Sequence, residues 1–139
     1  MKEKKIKHLE FIQNIITRMN TNSFQVKGMA ITIVSALLAI YASEKNPDFL
    51  IISIFPIFLF WFLDAYYLTQ ERKFRGLYND LLKDNIHNLK PFEMRPDLYK
   101  KGKYSFWSVL FSKTIWTIYL TISVIIVLIY LYLKIKKNG

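Results

Sequence analysis

Apolar and polar residues in this chain are sorted into separate blocks. Residues 28–42, 49–63 and 114–133 contain no charged side chain, and nearly all the charge lies before, between and after them. A bilayer core of ~30 Å needs ~20 helical residues at ~1.5 Å each. The third block meets that length by itself, flanked by Lys113 and Lys134. The first is too short, so a spanning helix over 24–42 is predicted to include Lys27, whose long stem can carry its ammonium to the headgroups. The second begins at Phe49 and contains Pro56, where a kink is predicted. Its uncharged run stops at Asp64, but Tyr67, Phe74, Leu77, Tyr78 and Leu81 continue one apolar face. One long helix over 49–87 is therefore predicted, leaving the membrane near 66–68.

The remaining segments are shorter. Over 5–20, Leu9, Ile12, Ile16 and Met19 recur at three-four spacing, widened by Ile6 and Ile15, which predicts an amphipathic helix on the membrane surface or against another helix. Asn20-Thr21-Asn22-Ser23 reads as a break with N-cap candidates. Ser43 to Asp48 is a short polar turn around Pro47. Residues 89–103, with Pro91, Pro96 and Gly102, read as an irregular basic loop, and 105–111 as an aromatic interfacial helix. The expected organisation is an amphipathic helix over 1–23, a two-span hairpin with a helical extension over 24–88, a basic loop over 89–113, and a third span with a short tail over 114–139. The fold class is an all-α integral membrane protein with three transmembrane helices.

Charge sets the expected orientation. Six Lys and Arg precede the first span, one lies in the first turn, ten separate the second and third spans, and three follow the last. The positive-inside rule then places the N-terminus and the long loop in the cytoplasm, with the three tail lysines discordant. Trp107 and Trp116 near one end of the third span, and Tyr130 and Tyr132 near the other, match the two interfacial belts. The first uncharged apolar block starts only at Gly28, too far from the basic N-terminus for a cleaved signal, and none is expected. The net charge of +10 would point to nucleic acid in a soluble protein. With 53% hydrophobic residues gathered into span-length blocks it is topological, and no direct nucleic-acid binding is expected.

Candidate chemistry is sparse. There is no cysteine, hence no disulfide or thiol nucleophile. His8 and His87 lie far apart, without neighbours at metal or triad spacing. No Gly-rich phosphate loop occurs among four glycines. No enzyme activity, cofactor or metal is expected. Asp64, Glu71, Asp80 and Asp84 read as a solvated charged face. Asp64 stands out, because a carboxylate near the membrane edge is costly unless it meets water or a cation. It reads either as half of a structural pair with Lys27 or an arginine, or as a pore-lining or oligomer-holding group. Glu71 and Arg75 are an i,i+4 pair. Lys90, Arg95, Lys100, Lys101 and Lys103 read as a loop held at the anionic inner leaflet, or as a site for an anionic ligand such as a nucleotide. Gly28, Thr32, Ser35, Ala39 and Ala42 form a small-residue face that lets helices approach closely, and Thr114, Thr117 and Thr121 form a polar stripe on the third span.

Arg18-Met19-Asn20, Ser23-Phe24, Lys27-Gly28 and Trp61-Phe62-Leu63-Asp64-Ala65-Tyr66-Tyr67-Leu68 followed by Glu71-Arg72 occur within an organisation that resembles the SLATT group over about residues 8–87. These are small bacterial membrane proteins proposed as pore-forming effectors in anti-phage and conflict systems. Small membrane accessories of RNA-targeting CRISPR loci are similar in size and layout. The third span departs from the usual two-span plan. The resemblance implies an oligomeric antiviral-defence effector of the bacterial inner membrane, acting as an ion channel or permeabilising pore and triggered by a cytoplasmic protein or nucleotide signal. Gly28, Thr32, Ser35, Ala39, Asp64, Tyr67, Glu71, Arg72 and Arg75 are then the candidates for pore or oligomer interface, with the bilayer and a second copy of the chain as partners. The competing reading is a non-conducting scaffold whose long cytoplasmic helix recruits a soluble partner through the stripe from Tyr67 to Leu81.

Overall fold

A computed structural model of the chain describes residues 2–84, 90 and 92–138, with side-chain surroundings through 136. Every regular element among the described residues is helical: α1 (Lys2–Glu44), α2 (Asp48–Ile52), α3 (Ile54–Leu82), α4 (Phe106–Leu110) and α5 (Lys113–Asn138), with 3-10 turns at Pro96–Leu98 and Gly102–Tyr104. Three stretches are long and apolar enough to cross a membrane: α1, α2 with α3, and α5.

The expected break at 20–23 is absent. α1 runs unbroken for 43 residues, on the order of 65 Å. Asn, Thr and Ser each cost only ~0.5 kcal/mol in a helix relative to Ala, and no Pro or Gly interrupts 20–23. Packing overrides that small penalty. His8, Ile12, Ile16, Ser23, Val26, Ala30 and Val34 form one buried stripe along the whole helix, and α3 is its partner. The amphipathic segment and the first span are thus two halves of a single antiparallel contact.

The α1–α2 turn is tight. Lys45 adopts a left-handed φ of 55°, and its N–H donates to the Tyr41 carbonyl at 2.7 Å, closing the helix end. α2 and α3 are one helix interrupted at Ser53, three residues before Pro56. The proline ring removes a ladder donor and crowds the Ile52 carbonyl one turn back. Ser53 donates through Oγ to the Leu50 carbonyl at 2.6 Å, satisfying the buried hydroxyl. α3 stops at Leu82, short of the expected 87, and Asp84 turns the chain with φ 54°. His87 lies outside the described residues.

α3 is the middle element, with α1 against one side and α4 and α5 against another. Two apolar clusters form along it. The larger joins Ala30, Val34, Leu50, Ile57, Ala65, Val109, Ile115, Tyr119 and Ile126. The smaller joins Ile12, Ile16 and Leu77, with Phe74, Tyr78, Leu81, Met94 and Tyr99 packed around them. The Phe74–Leu81 part of the stripe therefore finds its mate inside the chain: the N-terminal half of α1 and the loop over 92–104. Many large apolar side chains of α1, α3 and α5 remain exposed, among them Ile31, Phe58, Leu120 and Leu128, a surface compatible with contact to lipid.

Candidate functional site

Asp64 is fully buried, and ligands reach it from both sides of α3. From α1, the Lys27 ammonium lies 2.8 Å from Oδ1 and 2.6 Å from Oδ2, and Ser23 donates its hydroxyl to Oδ1. Ser23 Oγ in turn accepts from Lys27 at 2.9 Å. From α5, the Tyr119 hydroxyl donates to Oδ2 at 3.1 Å. The carboxylate is neutralised by one cation and bound by two hydroxyls, the condition under which a buried charge is tolerated. Lys27 keeps 21% of its side chain exposed, so it alone in the group reaches outward.

The α3 face around this group is itself fixed. Tyr119 stacks on Trp61 with ring centroids 6.4 Å apart. The Trp61 indole N–H donates to the Leu110 carbonyl at 3.0 Å, one of the orphan acceptors at the end of α4. Thr69 back-bonds to the Ala65 carbonyl at 2.6 Å. One polar centre thus ties all three long helices, set in an otherwise apolar layer.

Of the carboxylates expected on a solvated face, Asp64 and Glu71 are buried, Asp80 is half-buried and Asp84 is exposed. Glu71 is buried and holds the Arg75 Nε at 2.6 Å. Asp80 accepts from the Tyr99 hydroxyl, and Asp84 pairs with Lys5 of α1. Burial, reinforced by Asp80, pushes the Tyr99 hydroxyl above its ordinary pKa, so it stays a donor. His8 is buried, with Nε2 3.1 Å from the Glu93 carbonyl and its ring against Phe92. In the loop, Glu93 is held below its usual range chiefly by the Lys90 N–H, and Asp97 below its own by the Arg95 guanidinium.

The other candidates are dispersed. Gly28, Thr32, Ser35 and Ala39 lie on the exposed side of α1, away from α3. Beyond its chain neighbours and the backbone of its own helix, no atom of the described chain comes within 4 Å of where a Gly28 Cβ would stand. Tyr67 and Arg72 are half-buried and Arg75 is exposed. Thr117 and Thr121 are exposed, their hydroxyls turned back to carbonyls one turn earlier. At the far end, α1 and α5 diverge around a cleft of about 710 Å³ lined by Tyr41, Ala42, Tyr130 and Leu133. The tail residues Lys134 and Lys136 gather there with Lys45. Among the described residues no group of three metal-binding side chains occurs.

Family models, curated proteins and solved structures give no match to this chain. The reading of the site rests on its own geometry. Ser23 and Tyr119 complete this group and were not among the site candidates read from the sequence. Ser23 stands one helical turn before Lys27 and so shares its face. A tyrosine deep in an apolar span needs a partner for its hydroxyl, and that was the signal for Tyr119.

Proposed function

We propose that this chain is a multi-pass protein of the bacterial inner membrane, with its N-terminus in the cytoplasm. It acts as an oligomeric defence effector that permeabilises or depolarises the membrane when a cytoplasmic protein or nucleotide signal arrives. The observation that carries this reading is the outward small-residue face of α1, Gly28-Thr32-Ser35-Ala39, on a helix whose opposite face is occupied by α3. Close packing in lipid relies on such faces. Asp64 and Glu71 hold the protomer together, and the conducting path runs between protomers. The scaffold alternative is less favoured, because the Phe74–Leu81 part of the stripe that would recruit a partner packs against Ile12, Ile16, Met94 and Tyr99.

Ser35→Leu and Ala39→Leu are each expected to weaken the oligomer in mild detergent and to reduce dye uptake by expressing cells. Full-strength oligomers in both variants would place the interface elsewhere. Oligomers without any flux in liposomes would leave only the assembly half of the proposal. For orientation, reporters fused at Lys45 and after Gly139 are expected outside the cell, and at Gly76 and Lys101 inside. A C-terminal reporter found inside would refute the three-span topology.

A further inference from the structure

Between α3 and the turn Gly102–Tyr104 lies a recess of about 220 Å³, lined by Arg72, Arg75, Gly76, Asn79, Lys103 and Tyr104. Arg72 and Arg75 are three residues apart on one helix, so their guanidinium groups emerge on the same face. Arg72 Nη1 donates to the Lys103 carbonyl at 3.3 Å, which draws the loop against the helix. Arg75 is oriented through Nε by the buried Glu71, leaving its terminal nitrogens available. The Lys103 ammonium sits 5.2 Å above the Tyr104 ring. Among the described residues neither Arg72 nor Lys103 meets a carboxylate, and Glu71 offsets only one of the three cations. Two positive charges are in excess in this recess. Cations gathered in this way repel one another until an anion joins them.

We propose that this recess binds a phosphate group. Two guanidinium forks match the oxygens of a phosphate, the ammonium adds a point charge, and the excess charge equals that of a phosphomonoester dianion. Asn79 and Tyr104 supply further donors at the rim. The volume corresponds to about seven waters at ~30 Å³ each, enough for a phosphate and the first atoms of its ester, with the rest of the ligand outside. The same chemistry is offered by an acidic phospholipid headgroup and by a soluble phosphate ester. This inference needs no conduction and stands apart from the effector reading.

The test uses the full chain in phosphatidylcholine nanodiscs. One arm adds phosphatidic acid to the bilayer, and the other titrates inorganic phosphate and glycerol 3-phosphate against chloride at matched ionic strength. A rise in thermal stability is expected in at least one arm, with apparent affinity reduced about tenfold in Arg72→Gln and in Arg75→Gln. Arg72→Gln leaves the Glu71 pair intact, so it keeps the test valid if Arg75→Gln misfolds. Lys100→Gln with Lys101→Gln, outside the recess, should leave the response unchanged. A response only to phosphatidic acid identifies a headgroup site, and a response only to the soluble anions identifies a free ligand. No response in either arm overturns the proposal, as does an equal loss in the Lys100 and Lys101 control.

Discussion

Replacing Lys27 with methionine should destabilise the protein more than replacing Asp64 with asparagine, although the two residues form one ion pair. Lys27→Met leaves a carboxylate with no exposed surface and no cation, a condition that costs ~3–5 kcal/mol. Asp64→Asn strands the lysine instead, but the lysine is already partly exposed and its four-carbon stem can extend to the headgroups. The amide keeps the shape and can still accept from Ser23 or Tyr119, so a loss of ~1–2 kcal/mol is expected. The double variant should lie closer to Asp64→Asn than to the sum, since no charge is then left buried. Unfolding in detergent, followed by far-UV circular dichroism, measures all three. The reverse order would mean that Lys27 is the more enclosed partner. If the protein conducts as proposed, Asp64→Asn should leave ion selectivity unchanged, and a lost cation preference would put this carboxylate on the ion path.

Gly76→Ala tests how the loop is held. A Cβ at position 76 would lie 2.7 and 2.8 Å from Tyr99 ring carbons and 3.0 Å from the Tyr104 hydroxyl oxygen. Alanine favours the helix itself by ~1 kcal/mol, so α3 gains while the docked loop is pushed away. Overpacking of this kind costs ~1–3 kcal/mol, and lifting the loop relieves it. Lifting separates Tyr99 from Asp80 and Tyr104 from the recess. The expected result is nearly unchanged thermal stability, with tryptic cleavage at Lys100, Lys101 and Lys103 at least several-fold faster. Unaltered cleavage would show that the tyrosines can rotate aside without releasing the loop.

What the sequence disclosed, and what it hid, divides along local and non-local lines. The three apolar blocks, the interruption ahead of Pro56, the turn at Pro47 and the short helix around Trp107 were legible because each is written in neighbouring residues. The continuity of α1 was not. Asn20 to Ser23 favour a cap locally, and only α3, some 40 residues further on, makes helix the better state there. The stripe does run on from Ile16 through Ser23 to Val26, but a serine in it reads as an interruption until Asp64 is known to face it. Lys27 could be named beforehand as a partner of Asp64 because it is the one cation forced inside the first span. Tyr119 could not, since the partner of its hydroxyl lies 55 residues earlier in the chain. Gly76, the only glycine in its helix, marked the seat of Tyr99 without revealing it.

The unbroken length of α1 has a mechanical consequence. Ser23 stands at the midpoint of Lys2–Glu44, and there and at Lys27 the helix is pinned to Asp64. A stiff rod that tilted about this point would move its two ends in opposite senses. A tilt of ~5° about that pin shifts each end by about 3 Å, given a half-length of roughly 32 Å. One end is clasped by Lys5 to Asp84 and by His8 to the Glu93 carbonyl, and the other forms one wall of the cleft facing Tyr130 and Leu133. A change at that clasp would then reach the cleft, at the opposite end of the same helix, as a change in its width.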